Sequence, residues 1–247
     1  MPEIAKDDVL GLVPARGGSK SIPLKNLALL GGRPLLEYSL HHAAAAMPHI
    51  IQTLVCSTDH EGIADAAHKL GAEVIVRPLK LATDLAPVED CVRHVLDTLE
   101  KRDGAMPDIV VLFQPTSPFL HQDHIAGLVN ILRNDPSLDA AQTIAEIPHN
   151  MHALNQRILD DDGVVSFRFK EERKIAYNKK LKPKHYRFGN LVAFRSAPLM
   201  AGGTCFGTRS GSLLIDDTYA HDVDGPNDFE FANILINSGR IQTPFGS

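Results

Sequence analysis

The sequence predicts an α/β fold, a doubly wound and mostly parallel sheet in a single domain spanning residues 1–247. Between residue 9 and about residue 135, short apolar runs alternate with segments of helical periodicity, which is the pattern of β-α-β units. The run at 109–113 is continuously apolar, as expected for a central strand covered on both faces. A length of 247 residues suits one large domain.

The predicted elements follow in order along this part of the chain. Asp59 is expected to cap the second helix and Gly71 to end it. Ligands of such sheets bind at the carboxyl ends of the strands, so the loops that follow the strands should line one edge. The predicted strands are 9–13, 53–57, 73–76 and 109–113, and the predicted helices are 33–46, 61–70, 88–101 and 124–132.

The segment 139–196 breaks this rhythm, and it is interpreted as an inserted antiparallel β arm. Strands are predicted at 140–147, 164–169 and 185–195, with a turn at 160–163. Between them, 168–187 carries nine Lys and Arg residues, which form either a solvated face or a source of cations for an anionic substrate. The main sheet is expected to resume near 213–216. A last helix follows at 229–238, with Asp228 as its cap.

Composition and charge argue against nucleic-acid-binding, membrane-spanning and secreted proteins. A formal net charge of −5 argues against general nucleic-acid binding. No apolar run reaches the roughly 18 residues of a membrane span, and the polar N-terminus lacks a signal-peptide core. Cys56, Cys91 and Cys205 lie far apart and are expected to be core residues in a reducing compartment. We therefore expect a cytoplasmic protein that binds neither nucleic acid nor membrane.

A glycine-bearing cationic loop follows the first strand directly. Glycine allows backbone N–H groups to approach an anion, and cations offset its charge. The loop is not a Walker A motif, and a tight turn with surface charges is the alternative. Because three cations fall within ten residues after a buried strand, the pattern favours a nucleotide triphosphate. The loop residues are Arg16, Gly17, Gly18, Ser19, Lys20, Lys25 and Asn26.

Two further segments carry candidate site residues. Asp222 and Asp224 lie on one side of an extended segment and could bind Mg²⁺, which takes few protein ligands; the alternative is a helix-capping cluster. The stiff loop 114–118 could present the Gln114 amide to a sugar, and a plain turn is the alternative. The twelve histidines complete no metal site.

Taken together, these segments resemble the acylneuraminate cytidylyltransferases, the CMP-sialic acid synthetases and related CMP-nonulosonic acid synthetases. The resemblance covers nearly the whole chain, and the motifs occur in the family's order. They are Pro-Ala-Arg-Gly-Gly-Ser-Lys-x-Ile-Pro-x-Lys-Asn at 14–26, Ser-Thr-Asp at 57–59, Arg-Pro-x-x-Leu-Ala-x-Asp at 77–84, Gln-Pro-Thr-Ser-Pro at 114–118 and Asp-x-Asp at 222–224.

The resemblance implies a Rossmann-like nucleotidyltransferase that uses Mg²⁺ and forms a homodimer through its arm. The implied reaction transfers CMP from CTP to the anomeric hydroxyl of a 2-keto acid sugar and releases pyrophosphate. The sugar would be N-acetylneuraminate or a related nonulosonic acid such as legionaminic or pseudaminic acid. The implied roles are nucleotide binding by Ala15, Arg16, Gly17, Lys20, Lys25, Asn26, Arg77 and Asp84, sugar binding by Gln114, Thr116 and Ser117, metal binding by Asp222 and Asp224, and catalysis by Arg16, Lys20 and Asp222.

The sequence departs from the family pattern in three places, and two other functions stay open. Ser21 replaces a glycine, Leu120 replaces an arginine, and Gly189-Asn190 reverses an Asn-Gly pair. A cytidylyltransferase for the eight-carbon acid Kdo shares the fold and reaction type, although the 114–118 element favours nine-carbon sugars. A catalytically inactive nucleotide-binding protein is the other alternative. The proton acceptor is either Asp222 or a hydroxide on the metal.

Overall fold

A central seven-stranded sheet organises the computed structural model, which describes residues 4–19 and 21–245. The strands in chain order are β1 (Val9–Pro14), β2 (Leu29–Leu30), β3 (Arg33–Pro34), β4 (Thr53–Thr58), β5 (Glu73–Val76), β6 (Ile109–Leu112), β7 (Ala140–Glu146), β8 (Arg157–Leu159), β9 (Val165–Phe167), β10 (Tyr186–Arg195) and β11 (Ser210–Leu214). The helices are α1 (Leu35–Ala45), α2 (Glu61–Lys69), α3 (Val88–Asp103), α4 (Gln122–Asn134), α5 (Lys170–Ile175), α6 (Ser196–Met200) and α7 (Pro226–Asn237).

The main sheet has the order β11-β7-β10-β6-β1-β4-β5 and is mostly parallel. β1 pairs in parallel with β4 and β6, and only β10 runs antiparallel to its neighbours β6 and β7. Leu36 of α1 and Leu128 of α4 pack on one face of the sheet, whereas Val92 and Leu96 of α3 pack on the other. Helices therefore cover both faces, and the predicted fold class is confirmed.

Helix ends differ from the predictions at two caps. The residue that caps α2 is His60, whose Nδ1 accepts from the Gly62 N–H at 3.1 Å. Asp59 instead accepts from the Gly17 N–H at 2.9 Å, because the end of β4 lies beside the glycine loop. Helix α7 begins after Gly225, and the Asp228 carboxylate inside its first turn accepts from the Gly225 N–H at 2.9 Å. Asp59 therefore holds the glycine loop, whereas Asp228 still stabilises the start of α7, as the N3 residue of a capping box rather than as the cap residue itself.

The inserted arm comprises fewer residues than predicted. The ends of the predicted segment 139–196 are β7 and β10, which pair with each other and belong to the main sheet. Residues 147–185 lie outside that sheet and contain the β8–β9 hairpin and α5. Buried residues such as Ala141 and Ala193 explain the difference, since these two strands extend the same core as β6.

Across the described ranges, the helices are all too short or too polar to cross a membrane. The three cysteines are buried and free, as the sequence indicated. Burial raises the pKa of the Cys56 and Cys205 thiols to about 12, so both stay protonated at neutral pH.

Candidate active site

A cavity of about 490 Å³ opens at the carboxyl ends of β1, β5 and β6. This is the edge at which the sequence placed the strand-following loops. The predicted site residues on its wall come from four separate segments of the chain. They are Arg16, Lys25, Asn26, Arg77, Asp84, Gln114, Thr116 and Asp224.

The glycine loop is held from both sides. The Gly17 N–H donates to Asp59 Oδ1, and the Asn26 amide donates to the Arg16 carbonyl at 2.8 Å. A Cβ on Gly17 would lie 2.8 Å from a ring carbon of His60, so glycine is required here by close approach. Ala15 is fully buried behind the loop. Lys20, the second predicted catalytic cation, lies outside the described residues.

Arg16 points into the cavity and already has protein partners there. Its Nη2 lies 2.5 Å from Asp84 Oδ1, and its Nη1 donates to the Ala82 carbonyl at 3.3 Å. Both side chains of the pair remain about one-third exposed. The two residues belong to different family motifs, and the fold brings them into direct contact.

Arg77 is buried and forms part of the cavity wall. Its Nη2 donates to the Ser57 carbonyl at 2.8 Å, and its backbone N–H donates to the Thr58 carbonyl at 2.8 Å. The Cys91 thiol lies 3.3 Å from the Ser57 hydroxyl and also lines the cavity. Ser57 and Thr58 therefore do not line the cavity themselves. Their carbonyl groups accept hydrogen bonds from Arg77 and fix its orientation.

Of the two candidate metal ligands, Asp224 is the one that faces Lys25. Lys25 Nζ lies 3.7 Å from Asp224 Oδ1 and donates to the Val223 carbonyl at 2.9 Å. Asp224 lines the cavity, whereas Asp222 stands behind it and accepts a hydrogen bond from Ser117 Oγ at 3.2 Å. The pKa of Asp222 is raised, first because protein atoms exclude water from the carboxylate and then by the negative charge of Asp224.

The carboxylates of Asp222 and Asp224 suit a cation that takes few protein ligands. No three His, Cys, Asp or Glu side chains among residues 4–19 and 21–245 form a cluster that could enclose a metal. Asp224 on the cavity wall, with Asp222 behind it, leaves space for phosphate oxygens and water, which is an arrangement that Mg²⁺ accepts. A bound cation would also offset the repulsion that raises the pKa of Asp222.

The loop 114–118 is joined directly to the segment that carries the carboxylates. The Val223 N–H donates to the Thr116 carbonyl at 2.7 Å. Gln114 and Thr116 line the cavity, as a sugar-binding role requires. Ser117 does not line it; its side chain is buried and its hydroxyl holds Asp222. The predicted sugar contact of Ser117 is therefore replaced by a structural contact to a candidate metal ligand.

Sequence reasoning missed the apolar part of the cavity and one polar residue behind it. Leu81, Ala86, Pro87, Val88 and Cys91 line the same cavity as Arg77. The start of α3 at Val88 was the available signal, since helices that follow strands begin at this edge. Asn190 is buried behind the loop 114–118, and only its departure from the family pattern drew attention to it.

The departures have distinct structural consequences. Ser21 lines the cavity, so this replacement adds a hydroxyl to the site. Leu120 is buried in the main core, where it packs with residues such as Ile125, and it offers no cation to a substrate.

Comparisons with known proteins show which family the chain resembles. A family model described as cytidylyltransferase matches residues 10–197. The CMP-N,N'-diacetyllegionaminic acid synthase of Legionella pneumophila is 40% identical over 231 residues, covering 92% of this chain and 96% of that protein. The N-acylneuraminate cytidylyltransferase of Escherichia coli O18:K1:H7 is 28% identical over 91% of this chain, and this chain spans about half (51%) of its length.

The fold is also shared with a solved structure of CMP:2-keto-3-deoxy-manno-octonic acid synthetase complexed with CTP. The TM-score is 0.69 over 94% of this chain and 100% of that chain, at 16% identity. This likeness concerns the fold alone. The family model covers most of the sequence, including the glycine loop and the loop 114–118, and the predicted family is confirmed. The chain belongs to the cytidylyltransferase family.

Proposed function

We propose that the protein transfers CMP from CTP to the anomeric hydroxyl of a nonulosonic acid and releases pyrophosphate. The observation that carries the proposal is the single cavity into which Arg16, Lys25, Gln114 and Asp224 converge from distant parts of a cytidylyltransferase chain. Similarity over nearly its full length to the Legionella enzyme supports a sugar of the legionaminic or sialic acid class.

The cationic side of the cavity suits the triphosphate. Arg16 and Lys25 face it from the loop that follows β1. Attack at the α-phosphate needs alignment of the sugar hydroxyl with the leaving pyrophosphate, together with stabilisation of the charge that develops there. Arg16 supplies that stabilisation when a phosphate oxygen replaces the Asp84 carboxylate as its partner.

The carboxylates Asp222 and Asp224 would hold Mg²⁺ beside the triphosphate. Bound there, the cation supplies Lewis-acid stabilisation of phosphate charge. Lys25 already partly compensates these carboxylates, and its contact with Val223 keeps its ammonium group beside the metal segment. Asp222, whose pKa is raised, stays a candidate to accept the proton of the sugar hydroxyl, although its carboxylate lies behind the cavity wall.

The sugar would lie against the loop 114–118. Gln114 and Thr116 line the cavity, and the Ser39 hydroxyl donates to the Gln114 carbonyl at 3.3 Å, which helps fix the loop. A side-chain amide offers both donors and acceptors to a polyol. Gln114 is therefore the residue we assign to sugar orientation.

A homodimer formed through the arm is part of this proposal. Residues 147–185 lie outside the main sheet and expose many large apolar side chains, which in a lone chain would face water. A second copy of the chain would cover them. Those side chains are Met151, Ile158, Leu159, Val164, Val165, Ile175, Tyr177 and Leu181.

The test is a pyrophosphate-release assay with CTP and Mg²⁺ across four acids: N,N'-diacetyllegionaminic, pseudaminic, N-acetylneuraminic and Kdo. We expect CTP-dependent release with at least one nine-carbon acid and little with Kdo. Asp224→Asn should abolish release, whereas Asp65→Asn, the same change on the exposed face of α2, should not. CTP binding without release for any acid would refute the proposal, and release with Kdo alone would reassign the sugar.

A further inference from the structure

An irregularity in β10 places a buried asparagine behind the candidate active site. The register between β10 and β7 shifts between Phe188 and Val192, so three residues of β10 lie opposite Thr143. The Thr143 hydroxyl accepts from the N–H groups of Asn190 and Leu191, each at 2.9 Å. A bulge of this kind redirects a side chain, and bulges concentrate next to active sites.

Gly189, the residue before Asn190, belongs to the same irregularity of β10. A Cβ on Gly189 would lie 2.6 Å from Thr143 Oγ1 and 2.9 Å from Ile215 Cδ1. No side chain fits at position 189, whereas position 190 is turned towards the loop behind the cavity. The order Gly189-Asn190, which reverses the family's pair, therefore has a structural consequence: it brings an amide to this place.

The Asn190 side chain bridges two segments that both reach the cavity. Its Nδ2 donates to the Phe119 carbonyl at 2.7 Å and to the Tyr219 carbonyl at 3.1 Å. An amide nitrogen carries two hydrogens, so these two contacts use both. The ring nitrogen Nδ1 of His124, at 3.3 Å, is a longer contact and already accepts from the His121 N–H. Asn190 Oδ1 accepts from the Thr143 hydroxyl at 3.0 Å.

The two carbonyl groups that Asn190 bridges lie next to the two segments that form the site: the loop 114–118 and the segment that carries Asp222 and Asp224. Phe119 directly follows the loop 114–118, and Tyr219 lies three residues before Asp222. The same two segments meet again at the cavity, where the Val223 N–H donates to the Thr116 carbonyl. The amide of Asn190, this backbone contact and the Ser117–Asp222 hydrogen bond thus join the loop 114–118 to the segment that carries the carboxylates.

We propose that Asn190 is a positioning residue for CMP transfer, because its amide sets the spacing between the loop that orients the sugar and the carboxylates that hold the metal. The catalytic part of this inference rests on the proposed function. Asn190 is 1% exposed and does not line the cavity, so it acts through Gln114, Thr116 and Asp222. A small misplacement of such groups is enough to cost about 100-fold in rate.

The test compares Asn190→Asp and Asn190→Ala with Phe194→Leu. Asp keeps the size of the side chain but loses both donors, and Ala loses the whole bridge. Phe194 is buried on the same strand and packs with Leu199 and other core residues, so its replacement reports a general loss of stability. We expect both Asn190 variants to lower kcat about 10- to 100-fold and to raise the Mg²⁺ concentration for half-maximal rate, while CTP affinity changes less than about twofold.

Hydrogen–deuterium exchange provides a readout that needs no turnover. In both Asn190 variants we expect faster exchange in peptides covering 114–120 and 219–224, with little change in α3. Phe194→Leu should lower the melting temperature without this pattern. If the Asn190 variants behave like Phe194→Leu in both exchange and kcat, the inference is overturned. If wild-type protein transfers no CMP, the proposed function fails, while the exchange pattern still decides whether the bridge exists.

Discussion

Arg16 Nη2 and Asp84 Oδ1 lie 2.5 Å apart on the wall of the cavity assigned to CTP. Arg16 comes from the loop after β1, and Asp84 from the segment before α3. The pair holds the guanidinium in the cavity before a phosphate arrives. In the proposed function, binding of the triphosphate would exchange one anionic partner of Arg16 for another.

Arg16→Ala should weaken transition-state stabilisation at the triphosphate. A charge-assisted contact contributes about 1.5–3 kcal/mol, so we expect kcat/KM for CTP to fall roughly 10- to 100-fold. Steady-state kinetics with varied CTP measure this. Arg16→Lys keeps the charge but loses the forked donor geometry and should fall between wild type and Arg16→Ala. Wild-type kinetics in Arg16→Ala would remove this residue from the phosphate site.

Asp222→Asn should separate activity from stability. Burial and the charge of Asp224 raise the pKa of the Asp222 carboxylate, so its ionised form at pH 7 is disfavoured by the fold. We expect turnover to fall about 100-fold or more, since a metal ligand is lost. The free energy of unfolding, measured with urea at pH 7, should equal or exceed that of wild type. A large loss of stability would show that the carboxylate is needed for folding.

Gln114→Ala should affect the sugar and spare the nucleotide. A neutral hydrogen bond contributes about 0.5–1.5 kcal/mol, so KM for the nonulosonic acid should rise roughly 3- to 10-fold. CTP affinity, measured by calorimetry without sugar, should stay within about twofold of wild type. Gln142→Ala on β7 is the matched control, because that amide contacts Ser210 Oγ at 3.2 Å and does not line the cavity. Equal effects on sugar and CTP would contradict the assignment.

Stability should fall in mild acid because two histidines are buried. Burial, followed by the charge of neighbouring histidines, lowers the pKa of His42 and of His124 to about 4. The unfolded chain therefore binds more protons than the fold does between pH 6.5 and 4. The stabilisation is complete above about pH 6.5 and is lost as the pH falls towards 4.

The expected loss between pH 7 and pH 5 is about 2 kcal/mol for each of these two histidines, measured by urea unfolding. His42→Gln should show a shallower dependence on pH than wild type. His68→Gln, the same change on the exposed side of α2, should follow wild type. Identical slopes for wild type and His42→Gln would show that His42 takes no part.

The sequence by itself determined the α/β class and most of the candidate site. Apolar runs such as 109–113 and the helical spacing at 88–101 are local signals, because strand and helix periodicity is set within a few residues. The glycine loop with Arg16 and the carboxylates 222 and 224 were identified in the same way. Parallel strands then require that the loops after them share one edge.

Only the tertiary structure decided which partners these residues have. Asp59 was expected to cap α2 but holds Gly17, and Ser117 was expected to touch the sugar but holds Asp222. Asn190 gained its role from a bulge opposite Thr143 and from carbonyls at positions 119 and 219. These contacts join residues 29 to 105 positions apart. Local periodicity carries no information about such pairs, because their geometry exists only once the sheet has assembled.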